Sequence, residues 1–238
     1  GLLSTPSASA VIREREGGAA YGGIVLTASH NPGGPENDFG IKYNVANGGP
    51  ALEAFTGAVH KRTEAIDAYR ICEGLPDIDL SQPGRHVFTG QQGGADAAPF
   101  FEVEVIDPAE DWIGLIRENF DLPKIKALLG REDMSFAFDG MHGVAGPYAT
   151  ALFHEELGVP LSSLHNCVPA EDFNGGHPDP NLVYAAELVE RMGLNDVDAP
   201  AAAAAAKYPV LGAAADGDAD RNMVLGRKFF VTPSDSLA

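Results

Sequence analysis

The run Thr27-Ala28-Ser29-His30-Asn31-Pro32 leads directly into Gly33-Gly34. It sets one hydroxyl beside one imidazole on a segment that cannot continue as a regular element, since Pro32 lacks a backbone donor and the glycines loosen the chain. A serine so placed can carry a phosphoryl or acyl group covalently. The competing reading is a polar turn whose side chains only hydrogen-bond their own backbone. A second constellation is Asp216-Gly217-Asp218-Ala219-Asp220-Arg221. Three carboxylates at alternate positions on a tight loop can turn their oxygens to one centre, because Gly217 permits the sharp path. Their mutual repulsion calls for a hard divalent cation, and a site with few protein oxygens and room for phosphate suits Mg²⁺. Arg221 can grip a ligand or a neighbouring carboxylate with two donors. A calcium loop of the EF-hand type is excluded: it needs glycine sixth and glutamate twelfth, where this loop has Arg221 and Arg227. A solvated acidic turn without metal stays open for this loop taken alone.

The elements that must position these groups are read from periodicity. Residues 23–26 form a short apolar run, expected as a buried strand that delivers Ser29 onto its loop. Leu52, Phe55, Val59, Ile66 and Tyr69 recur at near-helical spacing and predict an amphipathic helix over 52–69. Residues 72–100 dissolve into Pro, Gly, Gln and Asp and read as loop or linker. From Phe101 the rhythm changes. Strands are expected at 101–105, 134–138, 163–168 and 208–215, and helices at 109–120, 122–129, 147–157 and 182–192. Six consecutive alanines at 201–206 predict one more helix. Strands alternating with helices predict a parallel α/β layer with functional loops at the strand carboxyl ends. The boundary falls near 101–106 and divides the chain into 1–104 and 105–238. Trp112 and the many phenylalanines are expected in the core.

The 238 residues suffice for one large or two modest domains with real cores. A net charge of −18, from 34 acidic against 16 basic side chains, repels nucleic acid and anionic membrane. It does not exclude a small anionic substrate, because a local cluster of arginine, lysine or metal overrides the global field. No apolar run approaches a membrane span. Cys72 and Cys167 have neither zinc spacing nor a disulfide framework and read as reduced, partly buried thiols. The start, Gly1-Leu2-Leu3-Ser4, lacks an initiator methionine and a signal-peptide layout, and reads as a chain with residues missing upstream.

Ser29 in Thr-Ala-Ser-His-Asn-Pro-Gly-Gly, together with the 216–221 loop, resembles the α-D-phosphohexomutase superfamily. Asp38-Phe-Gly-Ile-Lys-Tyr-Asn44, Asp139-Gly-Met-His-Gly-Val144, Asn166-Cys-Val-Pro169 and His177-Pro-Asp-Pro-Asn-Leu182 narrow the resemblance to its phosphoglucomutases. The resemblance implies two mixed α/β sandwich domains, most of the first and the second of a four-domain enzyme. It implies that Ser29 carries the phosphoryl group in the interconversion of glucose 1-phosphate and glucose 6-phosphate, through glucose 1,6-bisphosphate. Asp216, Asp218 and Asp220 would hold Mg²⁺ with an oxygen on Ser29. His30 and Lys42 would stand beside the transferring group, and Asn31 and Arg221 would bind phosphate. For His30, moving a proton and merely hydrogen-bonding a phosphate remain equal alternatives. Lys42 reads as electrostatic, with a solvated tip as the alternative. His142 and His177 are expected to order their loops. Ala219 stands where this subgroup has glycine, and Ala215 replaces a larger apolar residue. The third and fourth domains, with their sugar and phosphate loops, are expected to be missing. Either this is part of an active enzyme of the cytoplasm, or of the plastid, or it is a truncated, non-catalytic homologue with a binding or structural role.

Overall fold

In the computed structural model, residues 2–71, 76–89, 99–198 and 200–237 are described; Cys72 lies outside them. The chain enters through α1 (Thr5–Glu14), which the periodicity did not reveal. Its start is nonetheless written locally: the Ser4 hydroxyl accepts from Ser7 N at 3.1 Å, and Pro6 occupies the first turn. Strand β1 (Gly22–Leu26) appears where expected but is not the buried strand its apolar run implied: only Val25 is buried, while Ile24 and Leu26 are exposed because nothing among the described residues packs on that side. It pairs antiparallel with β2 (Ile41–Val45), placing Val25 opposite Lys42 and Leu26 opposite Ile41. The Ser29 loop is therefore the connection of an antiparallel pair, closed at its neck by Thr27 N donating to Gly40 O at 3.0 Å.

Helix α2 spans Glu53–Thr63, short of Ile66 and Tyr69. Its apolar stripe is real but exposed: Leu52, Phe55 and Val59 face outward, as do Ile24, Leu26 and Ile41 of the β1–β2 ribbon. Tyr43 stacks on Phe55 with ring centres 5.4 Å apart. The segment read as loop contains β3 (Gly84–Thr89), which pairs antiparallel with β4 (Pro99–Val105). Glycine and proline at its edges concealed it. Residues 72–75 and 90–98 of that segment lie outside the described ones.

Helices α3 (Glu110–Asn119) and α4 (Leu122–Leu129) follow the predicted spans closely. A five-stranded sheet comes next, in the order β6-β5-β7-β8-β9. Strands β5 (Phe136–Asp139), β6 (Leu164–His165) and β7 (Leu211–Ala215) run parallel. Strands β8 (Asn222–Gly226) and β9 (Phe229–Val231) run antiparallel, so the layer is mixed, not parallel throughout. The reason is length. The short 216–221 connection cannot make a crossover, so it joins adjacent antiparallel strands, with Ala215 opposite Asn222.

Side chains alternate across this sheet. Ala137, Ala214, Met223 and Leu225 pack on one face against Leu188, Val189 and Met192 around α6 (Ala186–Arg191). Phe138 and Ala215 pack on the other against α5 (Ala145–Ala149). The expected helix over 147–157 is α5 continued by a wider π turn at Thr150–Glu156. The expected helix over 182–192 is helical only in α6, and the strand over 163–168 shrinks to two residues. The alanine run is helical, as α7 (Ala201–Lys207), and α8 (Pro233–Leu237) closes the described chain. The aromatic expectation needs correction too: Phe138 is buried and Trp112 half-buried, but Phe39, Phe55, Phe101, Phe120 and Phe229 are exposed.

Leu188 is 1% exposed, whereas Phe55 is half exposed. Leu188→Ala is expected to cost about 2–5 kcal/mol in urea unfolding, and Phe55→Ala, which loses only its stack on Tyr43, at most about 1.5 kcal/mol.

Candidate active site

Ser29 sits on the β1–β2 connection in the left-handed region, φ +61°, which a residue with a side chain adopts only under constraint. The constraint is visible: Ser29 N donates to Thr27 Oγ1 at 2.7 Å, and Asn31 N to Ala28 O at 3.2 Å. From the other side the 216–221 loop presses in. A Cβ on Gly217 would lie 2.5 Å from the Ser29 carbonyl oxygen and 3.0 Å from the Phe173 ring, so only glycine lets the two loops meet. Ser29 Oγ accepts a hydrogen bond from Arg221 Nη2. The same guanidinium places Nε 3.2 Å from Asp216 Oδ2 and 3.4 Å from Asp220 Oδ1. The hydroxyl and the acidic loop, remote in sequence, share one arginine.

The three aspartates are not equivalent. Asp216 is fully buried, and its Oδ1 accepts from Asp220 N at 2.9 Å and Arg221 N at 3.0 Å, which folds the loop around it. Asp218 is 4% exposed, and its Oδ2 accepts from Thr5 Oγ1 at 2.8 Å, Thr27 Oγ1 at 2.9 Å and Lys42 Nζ at 3.2 Å. Asp220 is exposed. Burial pushes the Asp216 carboxyl up to about 6; the Arg221 backbone N–H opposes this, and the neighbouring Asp218 and Asp220 charges add to it. Burial also acts to raise Asp218, but the hydroxyls of Thr5 and Thr27 and the ammonium of Lys42 outweigh it and hold that carboxyl below its usual range.

Asp216 Oδ2 and Asp218 Oδ1 are buried and accept no hydrogen bond among the described residues. One carboxylate oxygen from each of Asp216, Asp218 and Asp220 lies within 4.8 Å of the others. Asp218 Oδ1 without a partner, Asp216 Oδ2 with only its ion pair to Arg221, and a third carboxylate beside them fit a hard cation, which would satisfy them together. The triad could hold a metal.

The remaining predicted residues divide. Lys42, on β2, reaches the acidic loop. His30 follows Ser29 with its Nδ1 buried and unpartnered, its ring 6.5 Å from that of His177. Asn31 turns instead to Asp38, its Nδ2 donating to Oδ2 at 2.8 Å on the exposed side of the loop. His142 orders its loop, with Nδ1 3.1 Å from Val168 O. Cys167 is half-buried and free, and burial pushes its thiol up to about 11, which leaves it inert. Thr5 and Thr27 were not singled out in the sequence. Thr27 lay within the serine motif and could have been suspected, whereas nothing in the spacing marks Thr5 as a partner for Asp218.

Family models describe two parts of the chain: "Phosphoglucomutase/phosphomannomutase, alpha/beta/alpha domain I" matches residues 1–70, and the corresponding domain II matches 110–228. The chain belongs to the phosphoglucomutase/phosphomannomutase family. It is 56% identical over 240 residues to the cytoplasmic phosphoglucomutase of Bromus inermis, covering all of this chain and 39% of that protein. It is 54% identical to the cytoplasmic phosphoglucomutase of Solanum tuberosum, covering 40% of it. Among solved structures, the open form of the Paramecium phosphoprotein pp63/parafusin, a phosphoglucomutase, superposes with a TM-score of 0.88 at 48% identity, over 100% of this chain and 41% of that one. The chain thus spans about two fifths of the length of the relatives it matches. Its two mixed α/β units have the family's architecture, and no helix among the described residues is long and apolar enough to cross a membrane.

A divalent cation added to the metal-free protein is expected to raise its melting temperature, by linkage to the folded state. Asp220→Ala, at an exposed position, should abolish that rise while leaving the melting temperature without cation close to the parent's. Differential scanning calorimetry with and without chelator reads both.

Proposed function

We propose that this chain is the phosphate-carrying and metal-binding part of a phosphoglucomutase, with residues 1–104 bearing the phosphoserine and 105–238 the metal loop. The observation that carries the proposal is the contact of Ser29 Oγ with Arg221, beside two buried carboxylate oxygens that accept no hydrogen bond, one of them ion-paired with that arginine. In this reading the phosphorylated Ser29 gives its phosphoryl group to glucose 1-phosphate. The resulting glucose 1,6-bisphosphate turns over, and the serine recovers the other phosphate, leaving glucose 6-phosphate.

Phosphoryl transfer asks mainly for positioning and for neutralisation of charge on the equatorial oxygens. Asp216, Asp218 and Asp220 would hold Mg²⁺ with an oxygen on Ser29, and the ion when bound supplies positive charge where the three carboxylates alone would repel a phosphate. Arg221 keeps the serine oxygen and the acidic loop in register and offers its guanidinium to a phosphate. Lys42 neutralises Asp218 and lends positive charge near the serine. His30 holds a phosphate oxygen or moves the proton of the attacking hydroxyl. Asn31 would reach phosphate by leaving Asp38. The names of the relatives support a cytoplasmic setting.

Domains I and II are matched, so the sugar in this reading has its phosphate donor within these 238 residues, and its second phosphate anchor would come from the part of the relatives that they do not span. The 238-residue chain is therefore expected to accept a phosphoryl group from glucose 1,6-bisphosphate without turning over as a mutase. Intact mass before and after phosphatase should show one removable phosphate, absent in Ser29→Ala. A chain that gains none would refute the carrier assignment and favour a non-catalytic homologue. Sustained glucose 6-phosphate formation by the chain would refute the need for further domains.

A further inference from the structure

Two imidazoles near Ser29 each bury a ring nitrogen with nothing to bind. His30 Nδ1 and His177 Nδ1 have no hydrogen-bond partner among the described residues, and their ring centres lie 6.5 Å apart at 47°. Leaving a buried polar atom unsatisfied costs on the order of 1–3 kcal/mol, so two in one place need a reason. Direct bonding between the rings is not made. A single water with polar partners on both sides would satisfy the pair.

His177 is well fixed for such a role. Its ring stacks on Tyr184 at 4.0 Å and 6°, almost parallel. The next residue, Pro178, is fully buried, and its carbonyl accepts from Gly217 N at 3.2 Å. Gly217 is the residue pressed against the Ser29 carbonyl. The segment carrying His177 is thereby locked, through the acidic loop, to the segment carrying His30.

We propose that His177 is a positioning residue for His30. One water bridges the two Nδ1 atoms, fixing the orientation and tautomer of the His30 ring and so committing its Nε2 to one role toward the group on Ser29. The chemistry is that of any neutral imidazole: one nitrogen donates and the other accepts, and the partner of one decides the state of the other. The bridging water gives one O–H to each Nδ1, so each ring carries its own proton on Nε2, and His30 Nε2 is the donor toward the group on Ser29. This rests on the phosphoryl-transfer reading, in which His30 stands beside the transferring group.

Two substitutions separate the nitrogen from the ring. His177→Asn keeps a polar group near the position of Nδ1 but loses the stack. His177→Phe keeps a ring on Tyr184 but has no nitrogen. The first readout is the two-bond ¹H–¹⁵N imidazole spectrum of His30 in the 238-residue chain at pH 8, which reports its tautomer. The second is the rate at which Ser29 takes up phosphate from glucose 1,6-bisphosphate, by intact mass. The parent and His177→Asn should show one His30 tautomer and similar rates. His177→Phe should show a tautomer mixture and a rate lower by about 10- to 100-fold, the scale expected when a reacting group is misplaced. A His30 spectrum unchanged in His177→Phe would overturn the proposal. So would a tautomer and rate kept by His177→Phe but lost in His177→Asn, since the stack would then be the working part. If the parent chain takes up no phosphate, the carrier reading fails, and the His30 spectrum alone still decides whether His177 positions that ring.

Discussion

Asp218 divides its two oxygens between two tasks, and the site depends on that division. Oδ2 receives Thr5, Thr27 and Lys42, all from the part of the chain that carries Ser29. Oδ1 remains buried and open on the acidic loop. A carboxylate taken out of water needs compensation for every lone pair. Here half the compensation comes from the first unit, which is what draws the serine loop onto the sheet of the second. The other oxygen is one that a cation could satisfy. The same side chain thus clamps the two units together and makes one corner of the acidic triad that could hold a metal.

Around this clamp the chain accepts local strain. Ser29 and Ala219 both adopt left-handed backbone, at φ +61° each. Strain of this kind persists where surrounding bonds over-determine the conformation, and it gathers at functional loops. Ser29 is held by Thr27 before it and by Gly217 across from it. Ala219 is held between Asp218 and Asp220, at the position where glycine was expected, and the loop keeps its shape although the residue there has a side chain. The overall charge of −18 makes the local pattern more telling. Against that background, Arg221 and Lys42 supply the positive charge that meets the serine and the acidic loop.

The architecture was partly legible because its period-setting faces are buried. The helices α3 and α4 and the strands β5 and β7 lie close to where the apolar pattern put them, since the helices bury one face and the two strands, inside the sheet, bury residues on both. The misses have separate physical causes. Strand β2 alternates strictly, Ile41-Lys42-Tyr43-Asn44-Val45, so a signal was there to find, but it is buried at the polar Asn44 and exposed at the apolar Ile41, the reverse of what alternation implies. Strands β8 and β9 follow from the shortness of the 216–221 connection, a topological constraint that residue patterns do not express. The stripe on α2 was read correctly as apolar, yet Leu52, Phe55 and Val59 are exposed: periodicity names a face, but the folded chain decides whether anything covers it.

By itself the sequence determined the chemistry: a serine and a histidine on a broken strand end, three alternating aspartates with an arginine, and a resemblance that joined them. Those are properties of residue type and local spacing, and both constrain a short segment directly. Tertiary structure alone decided which oxygen of which aspartate is free. It made Thr5 a partner of Asp218, turned Asn31 toward Asp38 and brought Arg221 to Ser29. Each of these depends on contacts between segments far apart in the chain, set by how the two units pack, and local sequence carries no record of that packing.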